Sequence, residues 1–241
     1  MKKILLGKKS KYAIDENQKV FHSKEGVIKI QKNRKIVKSH LGDEFSIVEP
    51  SLTDFFEKIL KRGPQVILPK DSAMILAYTG VGKNAKIVDA GAGSAFLSIF
   101  LAWYLQPCKI IAYEINDRFY KLAKENVKKI GLEKYIKIKK ADIRKGIDEK
   151  NLDLVTLDLE GSEKVVKHAY ESLKIGGWLV VYCPYIESVL KTIKEIEKYD
   201  FGEIKIVENI VREWRSVKSF TRPKTTGIMH TGFLIFARKI K

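Results

Sequence analysis

Cysteine is nearly absent: Cys108 and Cys183 are the only two in 241 residues. They stand far apart in apolar surroundings, which excludes a disulfide-stapled secreted scaffold. Reduced, buried thiols in a cytoplasmic protein are expected, with a bridge between subunits as the alternative. Six prolines and 16 glycines are too few for a collagen-like or low-complexity chain. Long hydrophobic runs are missing too. The densest, Ala95 to Leu105, is interrupted by Ser98 and closed by Gln106-Pro107, well short of the ~20 residues that a bilayer span needs. Lys2 and Lys3 are soon followed by Lys8, Lys9 and Lys11, leaving no apolar leader, so a secretory signal is not expected. Four scattered histidines give no ligand spacing, and no metal centre is expected.

Acidic residues are also in short supply. Lys and Arg number 46 against 29 Asp and Glu, a formal net charge of +17. A surface with that one-sided excess attracts polyanions, and nucleic acid is the first partner to consider. The Lys/Glu/Ile-rich composition of heat-adapted proteins is the blander explanation, but it would raise both signs together. What the chain does have is apolar material, at 45% of residues, enough to bury a full core and to exclude disorder throughout.

The charge is unevenly distributed. Residues 1–62 carry a net +7 and the remaining 179 a net +10, so the first stretch is about twice as basic per residue. It also has its own pattern. Lys19 to His22, Val27 to Gln31 and Ile36-Val37 are short runs separated by polar turns at Lys24-Glu25-Gly26 and Lys32-Asn33-Arg34, which predicts a small antiparallel β module. A connector helix is expected from Pro50-Ser51 through Leu60, stopped by Gly63-Pro64, and a second from a cap at Asp71 or Ser72 to Tyr78. The predicted domains are therefore 1–62, basic and suited to RNA or subunit contacts, and 63–241. In the latter, apolar strands at Ile87-Val88, Lys109 to Tyr113, Ile136 to Ile138, Leu154 to Leu157 and Trp178 to Tyr182 alternate with helices such as Asp117 to Ile130 and Ser188 to Lys198. That alternation predicts an α/β, doubly wound, Rossmann-like parallel sheet. Lys205 to Glu213 and Gly232 to Arg238, with no helix between them, should close it as an antiparallel pair.

Four motifs carry chemistry. Ile87-Val88-Asp89-Ala90-Gly91-Ala92-Gly93-Ser94-Ala95-Phe96-Leu97 reads as strand, glycine turn and helix start, in which Gly91 and Gly93 let the backbone approach a ligand. Dinucleotide loops place a third glycine where Phe96 stands, so a ligand without phosphate fits better. Glu114 ends the next strand 23 residues after Gly91, where an acid accepts both ribose hydroxyls; an exposed charge at a strand end is the structural alternative. Asp142, in Ala141-Asp142-Ile143, accepts from an adenine amino group or caps a helix. Asp158 leaves its strand into a polar turn at the sheet edge where open α/β folds bind ligands. Taken together in this order, the four fit S-adenosylmethionine, which offers a ribose, an adenine and an amino-acid tail but no phosphate.

Gly63-Pro64-Gln65-Val66-Ile67-Leu68-Pro69-Lys70-Asp71, Leu157-Asp158-Leu159, Tyr182-Cys183-Pro184, Arg212-Glu213-Trp214 and His230-Thr231-Gly232-Phe233 make a more specific pattern. It resembles the tRNA (adenine-N1)-methyltransferases that act on the T-loop adenine at position 58. The resemblance covers nearly the whole chain. It implies a seven-stranded methyltransferase sheet, S-adenosylmethionine as donor without a metal, tRNA as partner and a homotetramer. It also implies that the neighbouring position 57 is a second target in archaeal members. Carried over by position, Ser94, Ala95, Phe96 and Leu97 line the methionine and adenosine, Glu114 binds ribose, Asp142 binds adenine and Asp158 sits at the methyl-transfer point. This chain departs from the pattern at Leu68, where an aromatic residue or histidine is usual, and at Leu159-Glu160-Gly161, which lacks a proline.

Methylation at N1 requires the base to be drawn out of its stack and makes its 6-amino group more acidic. Asp158 is the expected acceptor there, as an ordinary ionised carboxylate. Tyr182 is the second catalytic candidate and, with Tyr185, either contacts the base or packs in the core. Arg212, Arg215, Lys218, Arg222 and Lys224 around Trp214 and Phe220 form either a backbone-tracking surface or a solvated loop. Three rival readings stand beside this one: a small-molecule methyltransferase of the precorrin type, a catalytically silent tRNA-binding subunit, and an NAD oxidoreductase, which Phe96 disfavours.

Overall fold

The computed structural model describes residues 2–31, 34–63, 65–217, 219–227 and 230–241. The chain divides into two compact units, Met1–Arg62 and Gly63–Lys241.

In the first unit, strands β1 (Lys2–Gly7), β2 (Lys11–Asp15), β5 (Ile36–Lys38) and β6 (Glu44–Val48) form an antiparallel sheet in the order β2-β1-β6-β5. Strands β3 (Val20–Ser23) and β4 (Gly26–Lys29) pair as a separate hairpin. Leu5, Ile14, Ile28, Val37 and Phe45 make a small core. Strands β1, β2 and β6 escape a reading by runs because lysines and acids punctuate their apolar positions. Of the two expected turns, Lys24-Glu25-Gly26 is present, with Gly26 at φ +104°; Lys32 and Asn33 lie outside the described residues. The connector starts where expected. Ser51 and Asp54 form a reciprocal capping box on α1 (Leu52–Asp54), which cooperates with the orphan N–H groups of a first turn. One π-type turn, Phe55–Ile59, follows, and Leu60 is already extended, so the helix ends before Gly63; Pro64 lies outside the described residues.

The second unit holds α2 (Pro69–Thr79), β7 (Lys86–Ala90), α3 (Phe96–Leu105), β8 (Lys109–Glu114), α4 (Asp117–Ile130), β9 (Ile136–Lys140), β10 (Leu152–Leu157), α5 (Val166–Ser172), β11 (Leu173–Cys183), α6 (Ile186–Ile196), β12 (Phe201–Glu208), β13 (Trp214–Val217), β14 (Phe220–Pro223) and β15 (Phe233–Lys239). Its main sheet has seven strands in the order β12-β15-β11-β10-β7-β8-β9. Pairing is parallel from β11 to β9, and β15 runs antiparallel to both its neighbours. This is the doubly wound arrangement the alternation predicts, with the expected antiparallel closure. The closing strand β12 begins earlier than its predicted partner run, at Phe201.

Helix α2 does not start at an Asp71 or Ser72 cap. It begins at Pro69 with Leu68 as N-cap, since proline at the first position gives up only an N–H that has no helical partner. Helix α4 follows the rules closely: the Asn116 side chain accepts from the Arg118 and Phe119 N–H groups, and Gly131 ends the helix in the left-handed region. Strand order reverses around β7, which lies between β8 and β10. The carboxyl ends of β7, β8, β9 and β10 therefore converge on one crevice, the place where open α/β sheets bind ligands.

Candidate active site

The crevice is a cleft of about 340 Å³ whose walls include Gly91, Gly93, Glu114, Asp142 and Asp158. Five residues taken from four separate motifs thus meet in one place. Ser94, Phe96 and Leu97 line a smaller void of about 20 Å³ that shares Gly91, Gly93 and Asp158 with the cleft. Ala95 lines neither. It is fully buried at the start of α3 with φ +63°, left-handed backbone that costs an alanine about 1 kcal/mol and that clusters at functional turns.

Close approach explains the glycines. The Asp158 N–H donates to the Ala90 carbonyl at 2.8 Å, carrying β10's exit alongside β7's. A Cβ on Gly91, whose φ is +77°, would lie 1.8 Å from the Asp158 carbonyl oxygen. Gly93 then turns its N–H to the Glu114 carboxylate at 2.8 Å, and the Asn116 N–H reaches the other carboxylate oxygen at 2.8 Å. Glu114 is buried and held rigidly by backbone donors, with one lone pair spare on each oxygen for the two hydroxyls of a diol. An exposed charge at a strand end does not describe it.

At Asp142 the capping reading holds. Its carboxylate caps the short 3-10 turn Ile143–Lys145 by accepting from the Arg144 N–H, and it also lines the cleft. The Arg144 guanidinium bonds it through Nε at 2.8 Å and Nη2 at 3.1 Å, which holds the carboxyl below the usual carboxylate range.

Asp158 departs from expectation. Asp158 is partly buried and lines both the cleft and the smaller void, and burial, reinforced by the charge of Asp89, pushes its carboxyl up to about 7. It is not an ordinary ionised acid but a group poised to gain or lose a proton near neutrality.

Tyr182 is placed differently from a base-contacting residue. It lines neither cleft nor void; its hydroxyl donates to the Thr231 carbonyl, and a Cβ on Gly232 would fall 2.5 Å from its ring. Burial, with Asp71 and Asp158 nearby, pushes the phenol up to about 12. Tyr185 is exposed. His230 directs one ring nitrogen at the Glu208 carboxylate (2.6 Å) and the other at the Pro184 carbonyl (3.0 Å). Two acceptors favour the imidazolium, and the Pro184 carbonyl and then Glu208 raise its pKa. Both thiols are free: Cys183 is buried, which pushes it up to about 11, whereas Cys108 is only partly covered. Arg212, Arg215, Arg222 and Lys224 are exposed on or beside the β13–β14 hairpin with Trp214 and Phe220; Lys218 lies outside the described residues. Among the described residues no group of three His, Cys, Asp or Glu could hold a metal ion, and no helix is long and apolar enough to cross a membrane.

Residues 50–219 match the family described as the tRNA methyltransferase complex GCD14 subunit. The chain belongs to that family. The tRNA (adenine(57)-N(1)/adenine(58)-N(1))-methyltransferase TrmI of Methanocaldococcus jannaschii is 32% identical, over 98% of this chain and 94% of that one. The crystal structure of the tRNA (m1A58) methyltransferase TrmI of Aquifex aeolicus superposes with a TM-score of 0.84 at 25% identity, covering 100% of this chain and 97% of that one. A Thermotoga maritima structure described as a SAM-dependent O-methyltransferase reaches 0.90 at 30% identity, covering 100% and 93%. Membership of the GCD14 family implies S-adenosylmethionine as methyl donor, and the residues present fit it. The Ser94 hydroxyl is buried without a partner beside a glycine turn that no Cβ could enter at Gly91, and a rigid Glu114 faces the same space. The cleft volume also lies in the range of small-ligand sites.

Two groups within this GCD14 domain were not singled out from sequence. Asp89 is fully buried, accepting from Ser98 and Thr156 hydroxyls at 2.5 and 2.8 Å; burial raises its pKa, and Glu114 adds to it. Its place inside the strand–glycine motif was the available signal. Lys70 donates to Asp71 (2.7 Å) and Thr231 (2.8 Å), and Thr231 donates to Asp71 (3.0 Å). Residues 161 positions apart in sequence make that cluster, so no local pattern announces it.

Proposed function

We propose that this chain transfers a methyl group from S-adenosylmethionine to N1 of an adenine in the tRNA T-loop, at position 58 and, by likeness to the M. jannaschii relative named for both, at position 57. The observation that carries the mechanism is the meeting of Asp158 with Glu114 and Asp142 in the wall of one cleft, where burial pushes the Asp158 carboxyl up to about 7.

S-adenosylmethionine supplies an electrophilic methyl group and therefore needs no activation by the protein. The chain's task is to hold the nucleophile in line and to manage charge. Glu114 presents one free lone pair per oxygen to the ribose diol, and Asp142 presents its carboxylate to the adenine amino group. Ser94, with Phe96 and Leu97, closes the adjoining end of the site. At the methyl-transfer point Asp158 accepts from the 6-amino group of the target base. As N1 bonds to the methyl carbon, the carbon–sulfur bond breaks and the donor departs as a neutral thioether; the ring becomes cationic, and Asp158 stabilises that charge and accepts the amino proton as it is released. A base with a pKa near the working pH suits that step. Tyr182 acts one layer back, keeping the Thr231 backbone beside Asp71. The exposed arginines and lysines of residues 212–224 and the basic first unit serve as phosphate contacts that orient tRNA without reading its bases. A homo-oligomer, a tetramer by resemblance, goes with exposed Ile210, Val211 and Trp214, and a cytoplasmic enzyme goes with the substrate.

The test is incubation of purified protein with unmodified tRNA transcript and methyl-labelled S-adenosylmethionine, followed by nucleoside analysis. N1-methyladenosine mapped to position 58, or to 57 and 58, is the expected product. Tight tRNA binding without transfer would instead indicate a silent subunit, and transfer that ignores tRNA would indicate a small-molecule acceptor.

A further inference from the structure

Arg144 has no function in the account so far beyond its bonds to Asp142, and it makes three of them to that cleft-lining acid. Its backbone N–H and Nε both donate to Oδ1 of Asp142, at 3.1 and 2.8 Å, and its Nη2 donates to Oδ2 at 3.1 Å. A carboxylate offers about two lone-pair sites per oxygen. Oδ1 is therefore full, and Oδ2 keeps one acceptor site. Both residues line the same cleft, and Glu160 on another part of its wall adds a weaker attraction on the guanidinium.

A planar guanidinium bonded through two nitrogens fixes its partner in rotation as well as in position, which an ammonium does not do. We propose that Arg144 is a positioning residue that orients Asp142, so that the one free site on Oδ2 reads the 6-amino group of the cofactor's adenine. The inference rests on the reading of Asp142 as the adenine acceptor. In this arrangement Arg144 sets the preference for adenine over a purine bearing oxygen at that position. Such a base would oppose one acceptor to another and leave both unpaired. Without the Arg144 side chain the Asp142 carboxylate keeps only the backbone cap bond at Oδ1, and Oδ2 is free to swing about it.

The experiment compares binding of S-adenosylhomocysteine with that of its deaminated analogue, S-inosylhomocysteine, by calorimetry, so no turnover is needed. The quantity read is the ratio of the two Kd values. Wild type should favour the adenosyl ligand, and Asp142→Ala should bring the ratio close to one. Arg144→Gln should lower the ratio about tenfold, by weakening the adenosyl ligand alone. Arg144→Lys, which keeps the charge but not the fork, should fall between. An Arg144→Gln ratio equal to wild type overturns the proposal, and so does an equal loss of affinity for both ligands, which marks a merely structural role. If Asp142→Ala also keeps the wild-type ratio, the adenine reading of Asp142 fails and the proposal falls with it. Thermal melting of each variant without ligand separates unfolding from these outcomes.

Discussion

Replacing Gly91 by alanine puts the geometry of the site to a quantitative test. The new Cβ would lie 1.8 Å from the Asp158 carbonyl oxygen and 2.8 Å from its carbon, whereas ordinary contact begins near 3.4 Å. The neighbour is backbone, so no rotamer change relieves the overlap, and the Asp158 main chain must retreat by about 1.6 Å. That retreat breaks the bond from the Asp158 N–H to the Ala90 carbonyl, worth about 1 kcal/mol. The left-handed φ of +77° adds ~1–2 kcal/mol for any residue with a Cβ. Together these destabilise the folded unit by about 2–3 kcal/mol, a fall in Tm of roughly 4–12 °C for a domain of this size. Gly93→Ala is the internal control: φ is +54°, but the nearest atom to its Cβ is 3.8 Å away, so only the left-handed strain of ~1–2 kcal/mol applies. Activity should separate the variants further, because moving a reacting group by more than 1 Å costs about 100-fold. Scanning calorimetry without ligand and methyl transfer to tRNA read the two effects. Equal Tm values for the two variants would refute the argument that the Gly91–Asp158 approach requires glycine.

Asp158→Asn should retain cofactor affinity within about threefold while methyl transfer falls roughly 100-fold or more. In wild type, single-turnover transfer should rise with pH through an apparent pKa near 7, and that limb should be absent in the variant. The sign for stability is opposite: a carboxyl whose folded pKa lies above its unfolded value contributes stability below about pH 4 that is lost as pH rises through 7. The Tm of Asp158→Asn should therefore be flatter than wild type over that window, and parallel curves would contradict the assignment. Tyr182→Phe should keep transfer within about threefold and cost about 1 kcal/mol in stability, since its hydroxyl is engaged by the Thr231 carbonyl. A large loss of kcat at unchanged Tm would restore Tyr182 to the catalytic set.

Wherever the information is local, the chain's own pattern suffices. Alternating apolar runs and amphipathic stretches decide the parallel sheet, because period-2 and period-3.6 faces must be buried against each other. The glycine turn, Glu114 and Asp142 are legible for the same reason. Each lies at or just beyond the end of a strand, and parallel strands deliver their carboxyl ends to one edge. The first unit is less legible: β1, β2 and β6 carry charged residues on a small sheet where most positions are only partly buried, so solvent tolerates them and the alternation is blurred.

Other properties exist only once distant segments meet. Asp158 looks like any acid at a strand end until folding crowds it and sets Asp89 nearby; desolvation then moves its pKa, and no neighbour in sequence reports that. Tyr182 looked catalytic because it stands beside Cys183-Pro184 after a strand, but side-chain direction and the Thr231 carbonyl took its hydroxyl elsewhere. Lys70, Asp71 and Thr231 come together across most of the chain. Sequence determined the alternating elements of the second unit's parallel sheet and which edge of it gathers the strand-end acids, since both follow from short-range pattern and connection rules. Tertiary structure decided which acids titrate, which hydroxyls are spoken for and which glycine is irreplaceable, since burial and interatomic approach are properties of the packed molecule.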